Sequence, residues 1–250
     1  MIQLKGKVAL ITGGSAGLGA AVARQLASEG VDLAINYCHS QDRASALAKT
    51  LASEFNVKTV ILQGDVSENS VPEKLVSEAV AQLGHLDIVI SNAGWTKMVP
   101  FDDIDSLDDE LWDGCFSNNV KSHFYLFRAA KKVFDNNEEG GTFIVSASVA
   151  GRMVYGSSIP YAVSKAALIH LVKILAKTQG PKVRVHAVCP GLLLTDWGKR
   201  FPQDRIDKSK QISPINAIPD VEETAAQFVL LSKLATSTGS IVAQDAGISL

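Results

Sequence analysis

Short apolar runs alternate with longer stretches of helical periodicity along most of this 250-residue chain. Val8–Thr12, Val31–Tyr37, Val57–Leu62, Leu86–Ser91, Gly141–Ser146, Val183–Cys189 and Gly239–Ala243 read as strands. Several of them lack strict alternation, which is the pattern of strands covered on both faces. Between them the spacing predicts helices over 17–29, 41–55, 69–83, 107–116, 119–135, 161–178 and 221–233. Ser67 before the third helix and Asp220 with Glu223 at the last supply start signals. Alternation at this spacing implies parallel strands joined by right-handed crossovers. The expected fold is α/β, a Rossmann-type doubly wound parallel sheet of about seven strands with helices on both faces. Residues 192–219, with Pro214 and Pro219, show no clear period. They read as a functional lid or a mobile segment, as loops this long in compact domains usually are. Within that segment 204–210 are highly charged and expected to face solvent.

Composition changes this picture little. With 46% hydrophobic residues and no compositional break, residues 1–250 read as one domain. A chain this long buries about three quarters of its unfolded surface and needs no disulfide or metal to hold a core. Cys38, Cys115 and Cys189 are irregularly spaced, and the five histidines show no paired ligand spacing, so no metal site is expected. A net charge of −2 offers no long-range attraction for nucleic acid or an anionic membrane. Lys131-Lys132 and Lys208-Ser209-Lys210 read as solvated surface. The N-terminus lacks the apolar core of a signal peptide, and no stretch reads as long enough to span a membrane. A cytoplasmic protein is expected.

The first strand runs into Thr12-Gly13-Gly14-Ser15-Ala16-Gly17-Leu18-Gly19, and a helix follows at once. Glycines there allow a tight turn and let backbone N–H groups approach a pyrophosphate, which the helix N-terminus favours. The spacing is G-x-x-x-G-x-G with no following lysine, so it is not a P-loop. On its own such a turn can be only a turn; after a first strand and before a first helix it points to a dinucleotide. NAD-selective sites place an acid at the end of the second strand, on the ribose 2′-OH. Here Ala34-Ile35-Asn36-Tyr37-Cys38-His39-Ser40 contains none; His39, Ser40 and Arg43 stand where a 2′-phosphate would sit, and Asn36 is a further cofactor-lining candidate. NADP(H) is therefore expected over NAD(H), although Ser40 also suits a helix N-cap.

Tyr161 and Lys165 lie four residues apart, on one face of a helix. An ammonium beside a phenol, whose ordinary pKa is about 10, favours the phenolate and should lower that value. Ser148, thirteen residues before Tyr161 at the end of the fifth strand, can bond a carbonyl oxygen as charge develops on it. These residues, with the glycine turn, resemble the short-chain dehydrogenase/reductase family from about residue 5 to 245. Other family signatures fall in order: Gly64-Asp65-Val66, Ser91-Asn92-Ala93-Gly94, Asn119-Val120-Lys121, and Pro190-Gly191 with Thr195. Departures are Ser91, Ser122, Ala16 where many NADP-dependent relatives carry arginine, and Asp245-Ala246-Gly247 for the usual Asp-Gly-Gly.

The resemblance implies hydride transfer between the nicotinamide and a carbonyl or secondary-alcohol carbon. Tyr161 would be the acid/base, Lys165 would lower its pKa and hold the nicotinamide ribose, Ser148 would polarise the carbonyl, and Asn119 would carry a proton relay. Gly13, Ser15, Gly17, Leu18, Gly19, Asp65, Val66, Asn92, Ala93, Gly94, Pro190, Gly191, Leu193 and Thr195 would line the cofactor. Trp95, Met98, Met153, Tyr155, Leu192, Leu193, Trp197 and Phe201 would face a bulky, weakly polar small-molecule substrate, or else only cover the core. Helices 119–135 and 161–178 would join subunits of a homodimer or homotetramer. Two other activities remain open: epimerisation, dehydration or cyclisation without net redox, and dinucleotide sensing without catalysis.

Overall fold

In the computed structural model, which describes residues 1–250, seven strands form one wholly parallel sheet. They are β1 (Val8–Ile11), β2 (Asp32–Tyr37), β3 (Thr59–Gln63), β4 (Ile88–Ser91), β5 (Gly141–Ser146), β6 (Val183–Pro190) and β7 (Ile241–Gln244). Their spatial order is β3-β2-β1-β4-β5-β6-β7, the Rossmann arrangement. The order reverses between β1 and β4, so a crevice opens at the carboxyl ends of those two strands.

Helices α1 (Gly17–Ser28), α2 (Gln41–Phe55), α3 (Val71–Leu83), α4 (Asp109–Phe116), α5 (Ser122–Phe134), α6 (Ile159–Thr178), α7 (Gln203–Ile212) and α8 (Val221–Lys233) complete the chain. Strand side chains alternate between two cores. Val8 and Leu10 of β1 join one built from α3, α5 and α6, whereas Ala9 and Ile11 join another built from α1, α2 and α8. Covering on both faces is why β1 reads as an unbroken apolar run.

Four expectations need correction. Ser67 does not start α3; its amide and hydroxyl both donate to the Asp65 carboxylate, and the helix begins four residues later behind Ser70. Asp65 thereby closes an Asx-turn that holds the chain short of helix. Helix α6, with 20 residues and mean hydropathy 1.4 over its most apolar window, does reach spanning length. Its apolarity is used inside the fold, since Leu168, Ile169, Val172 and Leu175 pack into the core. Third, segment 192–219 is not a bare loop, because it contains α7. The charged stretch 204–210 is not wholly solvent-facing either: Ser209 is buried and Arg205 turns inward.

Candidate active site

A cleft of about 600 Å3 opens at the carboxyl ends of the strands, beside the switch point. The glycine turn forms its floor. Gly13 and Gly17 have φ of 59° and 53°, the left-handed region that side chains disfavour. Gly19 lies beneath the turn instead of lining the cleft; a Cβ there would stand 2.4 Å from the Gly13 carbonyl oxygen. The turn is pinned from both sides. On the β4 side, Asn92 Nδ2 donates to the carbonyls of Thr12 and Gly13, and Thr12 Oγ1 accepts from the amides of Asn92 and Ala93. On the β2 side, Asn36 Oδ1 accepts from the Gly13 amide at 3.2 Å, and its Nδ2 donates to the Gly64 carbonyl at 3.0 Å. Asn36 borders the cleft, but its amide is committed to the backbone, so it shapes the site instead of offering a free ligand group.

Ser15, Leu18, Asp65, Val66, Ala93 and Gly94 border the same cleft. At its far end stand Tyr37, Cys38, His39, Ser40 and Arg43. Ser40 occupies the N-cap position of α2 without a side-chain capping bond, so the capping reading does not account for its hydroxyl. Arg43 reaches across the cleft to Asp196, at 2.6 Å. The opposite wall is made by Pro190, Gly191, Leu193 and Thr195, and a Cβ on Gly17 would meet the Thr195 side chain at 3.3 Å. Bare glycine backbone, a helix N-terminus and an acid-free second strand end fit a nicotinamide dinucleotide, and this cleft is large enough to hold one.

Tyr161 sits in the first turn of α6. Ser158 caps that helix by accepting from the Tyr161 amide, and Pro160 presets the first turn, so the helix starts two residues before the expected position. Ser148 follows β5 and caps a short 3₁₀ turn, Val149–Gly151, through the Ala150 amide at 3.1 Å. That turn packs against α6 so closely that a Cβ on Gly151 would lie 2.5 Å from the Lys165 carbonyl carbon. Glycine at this contact is what brings Ser148, Tyr161 and Lys165 onto one wall. Lys165 is buried, donates to the Ser146 carbonyl at 2.8 Å, and stands 5.7 Å from the centre of the Tyr161 ring.

The electrostatics differ from the expectation. Burial pushes the Tyr161 phenol up to about 12, with the Ser148 hydroxyl pulling the other way. Burial also pushes Lys165 down to about 8. Burial outweighs any acidifying effect of Lys165 on Tyr161: the ammonium is itself poorly solvated and faces a backbone carbonyl. Cys115 and Cys189, both buried, are pushed up to about 11 and stay as thiols.

Asn119 is fully buried in a π turn, Ser117–Lys121, that joins α4 to α5. Its Oδ1 accepts from the Trp95 amide at 2.9 Å, and its Nδ2 donates to the Trp95 carbonyl and to Ser164 Oγ. The neighbouring Asn118, not Asn119, borders the cleft.

Trp95, Tyr155, Leu192, Trp197 and Phe201 converge on the cleft beside Tyr161, whereas Met98 and Met153 do not reach it. Arg205 of α7, expected to face solvent, also borders the cleft: it donates to the Gly156 carbonyl and lies over the Phe201 ring, while Ser209 behind it is hydrogen-bonded to the Tyr155 hydroxyl. No motif announces them, since they join elements about fifty residues apart.

Residues 7–206 match the family model described as short chain dehydrogenase. Versicolorin reductase 1 of Aspergillus parasiticus is 30% identical over 264 residues, covering 98% of this chain and 97% of the relative. An NADPH-dependent 3-quinuclidinone reductase from Rhodotorula rubra superposes with a TM-score of 0.91 at 30% identity, covering 98% of this chain and 92% of that one. A short chain dehydrogenase from Burkholderia cenocepacia in complex with NADP gives 0.92 at 28% identity, with both chains covered completely.

Proposed function

This chain belongs to the short-chain dehydrogenase/reductase family of nicotinamide-dependent oxidoreductases, and from that premise we propose that it is an NADP(H)-linked ketoreductase or alcohol dehydrogenase with Tyr161 as its acid/base. The carrying observation is the meeting of Ser148, Tyr161 and Lys165 on one wall of the glycine-turn cleft. When bound, the nicotinamide supplies or accepts the hydride at the carbonyl carbon. The protein's residues manage the oxygen and its proton. Ser148 Oγ donates to the carbonyl oxygen and orients it. Tyr161 gives its proton to that oxygen as negative charge builds there, and takes it back in the reverse direction.

A phenol at about 12 holds its proton firmly, so the phenolate left behind needs a nearby positive charge. Lys165 provides it, and at about 8 its ammonium can also pass on a proton near neutral pH at modest cost. Asn119 contributes by position: its amide fixes the Trp95 backbone from within the π turn. Such turns recur at functional sites.

Ser40, His39 and Arg43, with no acid at the end of β2, support NADP(H) over NAD(H). The names of the Rhodotorula and Burkholderia proteins agree with that choice. Trp95, Tyr155, Leu192, Trp197 and Phe201 support a bulky, weakly polar carbonyl substrate. Phe124 of α5 and Val163 and Ile174 of α6 are exposed, in support of a homodimer or homotetramer.

The test is NADPH oxidation with a panel of bulky aryl and bicyclic ketones, comparing the wild type with Tyr161→Phe. The expected loss is about 10²–10⁴-fold in turnover, the usual contribution of a positioned proton donor, with NADPH affinity kept within a few-fold. Equal turnover by the two proteins would remove Tyr161 from the reaction.

A further inference from the structure

We propose that Asp196 is a cofactor-discriminating residue: it competes with the 2′-phosphate of the cofactor for Arg43, and so couples the adenosine end of the cleft to segment 192–219. The inference rests on the NADP(H) reading above and adds a residue to it. Arg43 lies in the first turn of α2, beside Ser40 and His39 at the end of the cleft. Ala16 in the glycine turn supplies no cation, so the charge that α2 brings to this end is that of Arg43. That charge is already engaged. Its Nη2 meets Asp196 Oδ2 at 2.6 Å, across 153 residues of sequence. Asp196 directly follows Thr195, which packs over Gly17, so the pair ties the segment down across the cleft.

Both partners are well over half exposed, 59% for Arg43 and 64% for Asp196. Exposed pairs of this kind are weak and exchangeable. A phosphate monoester carries about −1.5 to −2 at neutral pH and accepts a guanidinium bidentately, so it outcompetes a single carboxylate. When it does, Asp196 loses its partner, so phosphate binding must break the pair. NAD(H) has nothing to offer Arg43, and with it the pair persists. Asp196 therefore opposes NADP(H) selectively, and its release from Arg43 frees the segment's hold on α2 only when the phosphorylated cofactor binds.

The experiment is calorimetric titration of the full chain with NADPH and with NADH, for the wild type, Asp196→Asn, Arg43→Gln and the double variant, at low and high salt. Asp196→Asn is expected to raise the NADPH-to-NADH affinity ratio about two- to five-fold at low salt, the measure of an exposed pair. That gain should shrink at high salt. Arg43→Gln should lower the ratio by about tenfold or more, the measure of a bond to a charged group. In that background Asp196→Asn should add nothing. An unchanged or lowered ratio in Asp196→Asn overturns the proposal, as does an equal effect on both cofactors or a gain that survives in Arg43→Gln. A wild-type preference for NADH would instead refute the NADP(H) reading, while the direction of change in the ratio still judges Asp196.

Discussion

Replacing Lys165 by methionine should stabilise the cofactor-free protein while abolishing its activity. The ammonium is buried, and its pKa falls from 10.5 to about 8. At about 1.4 kcal/mol per unit, holding that charge costs the folded state about 3 kcal/mol. Methionine keeps a similar stem without the charge, but it leaves the Ser146 carbonyl without its donor, a loss of about 1–2 kcal/mol. The net gain at pH 7 is about 1–2 kcal/mol, or roughly 2–8 °C in melting temperature for a chain of this size. The pH dependence is the sharper signature. Below pH 8 the folded and unfolded chains both hold the proton, and the folded chain bears the full cost. Between pH 8 and 10.5 the folded chain has released the proton and the unfolded chain has not, so wild-type stability rises with pH. The variant lacks this rise. Urea unfolding of both proteins at pH 7 and pH 9.5 should therefore show the difference shift by about 2 kcal/mol toward the wild type, which cancels or reverses the variant's advantage, about 1.5 pH units above the folded pKa. Parallel profiles at the two pH values would refute the buried-charge argument, and with it the role given to Lys165 as a proton donor near neutrality.

Three further outcomes follow from local geometry. Ala246 holds φ at 55°, where the usual family residue is glycine, so Ala246→Gly should raise the urea midpoint by the equivalent of about 1 kcal/mol. Gly19→Ala would place a Cβ 2.4 Å from the Gly13 carbonyl and 2.8 Å from Asn92 Nδ2. It should lower NADPH affinity at least tenfold, read by titration, and reduce stability by about 1–3 kcal/mol through overpacking. Arg205→Ala removes the tie to Gly156 and the stacking on Phe201, so KM for a bulky ketone should rise several-fold with a smaller change in NADPH affinity.

The sheet, most of its crossovers and the meeting of Ser148, Tyr161 and Lys165 on one wall are legible in the sequence for physical reasons. Doubly covered strands must be apolar throughout, and helices such as α8 announce themselves through caps: Asp220 accepts from the amides of Glu222 and Glu223. Helix α7 is illegible because Gln203–Ile212 is polar nearly all round. It is held by tertiary ties, Arg205 to Gly156 and Ser209 to Tyr155, not by an amphipathic face. The direction of the Tyr161 pKa is illegible for a related reason. Spacing gives the proximity of Lys165, but desolvation depends on the whole fold packed around both residues. The Arg43–Asp196 pair has no local signal either, since nothing near residue 43 foretells what residue 196 lies against.

Reduction of a bicyclic ketone with NADPH deuterated on the transferred side of the nicotinamide tests the central claim most directly. The account predicts one deuterium at the new carbinol carbon for each cofactor oxidised, and loss of both label transfer and oxidation in Tyr161→Phe. Product formed with no label and no net oxidation would instead establish a non-redox reaction at the same site. Cofactor binding with no turnover of any ketone would favour a dinucleotide-sensing protein.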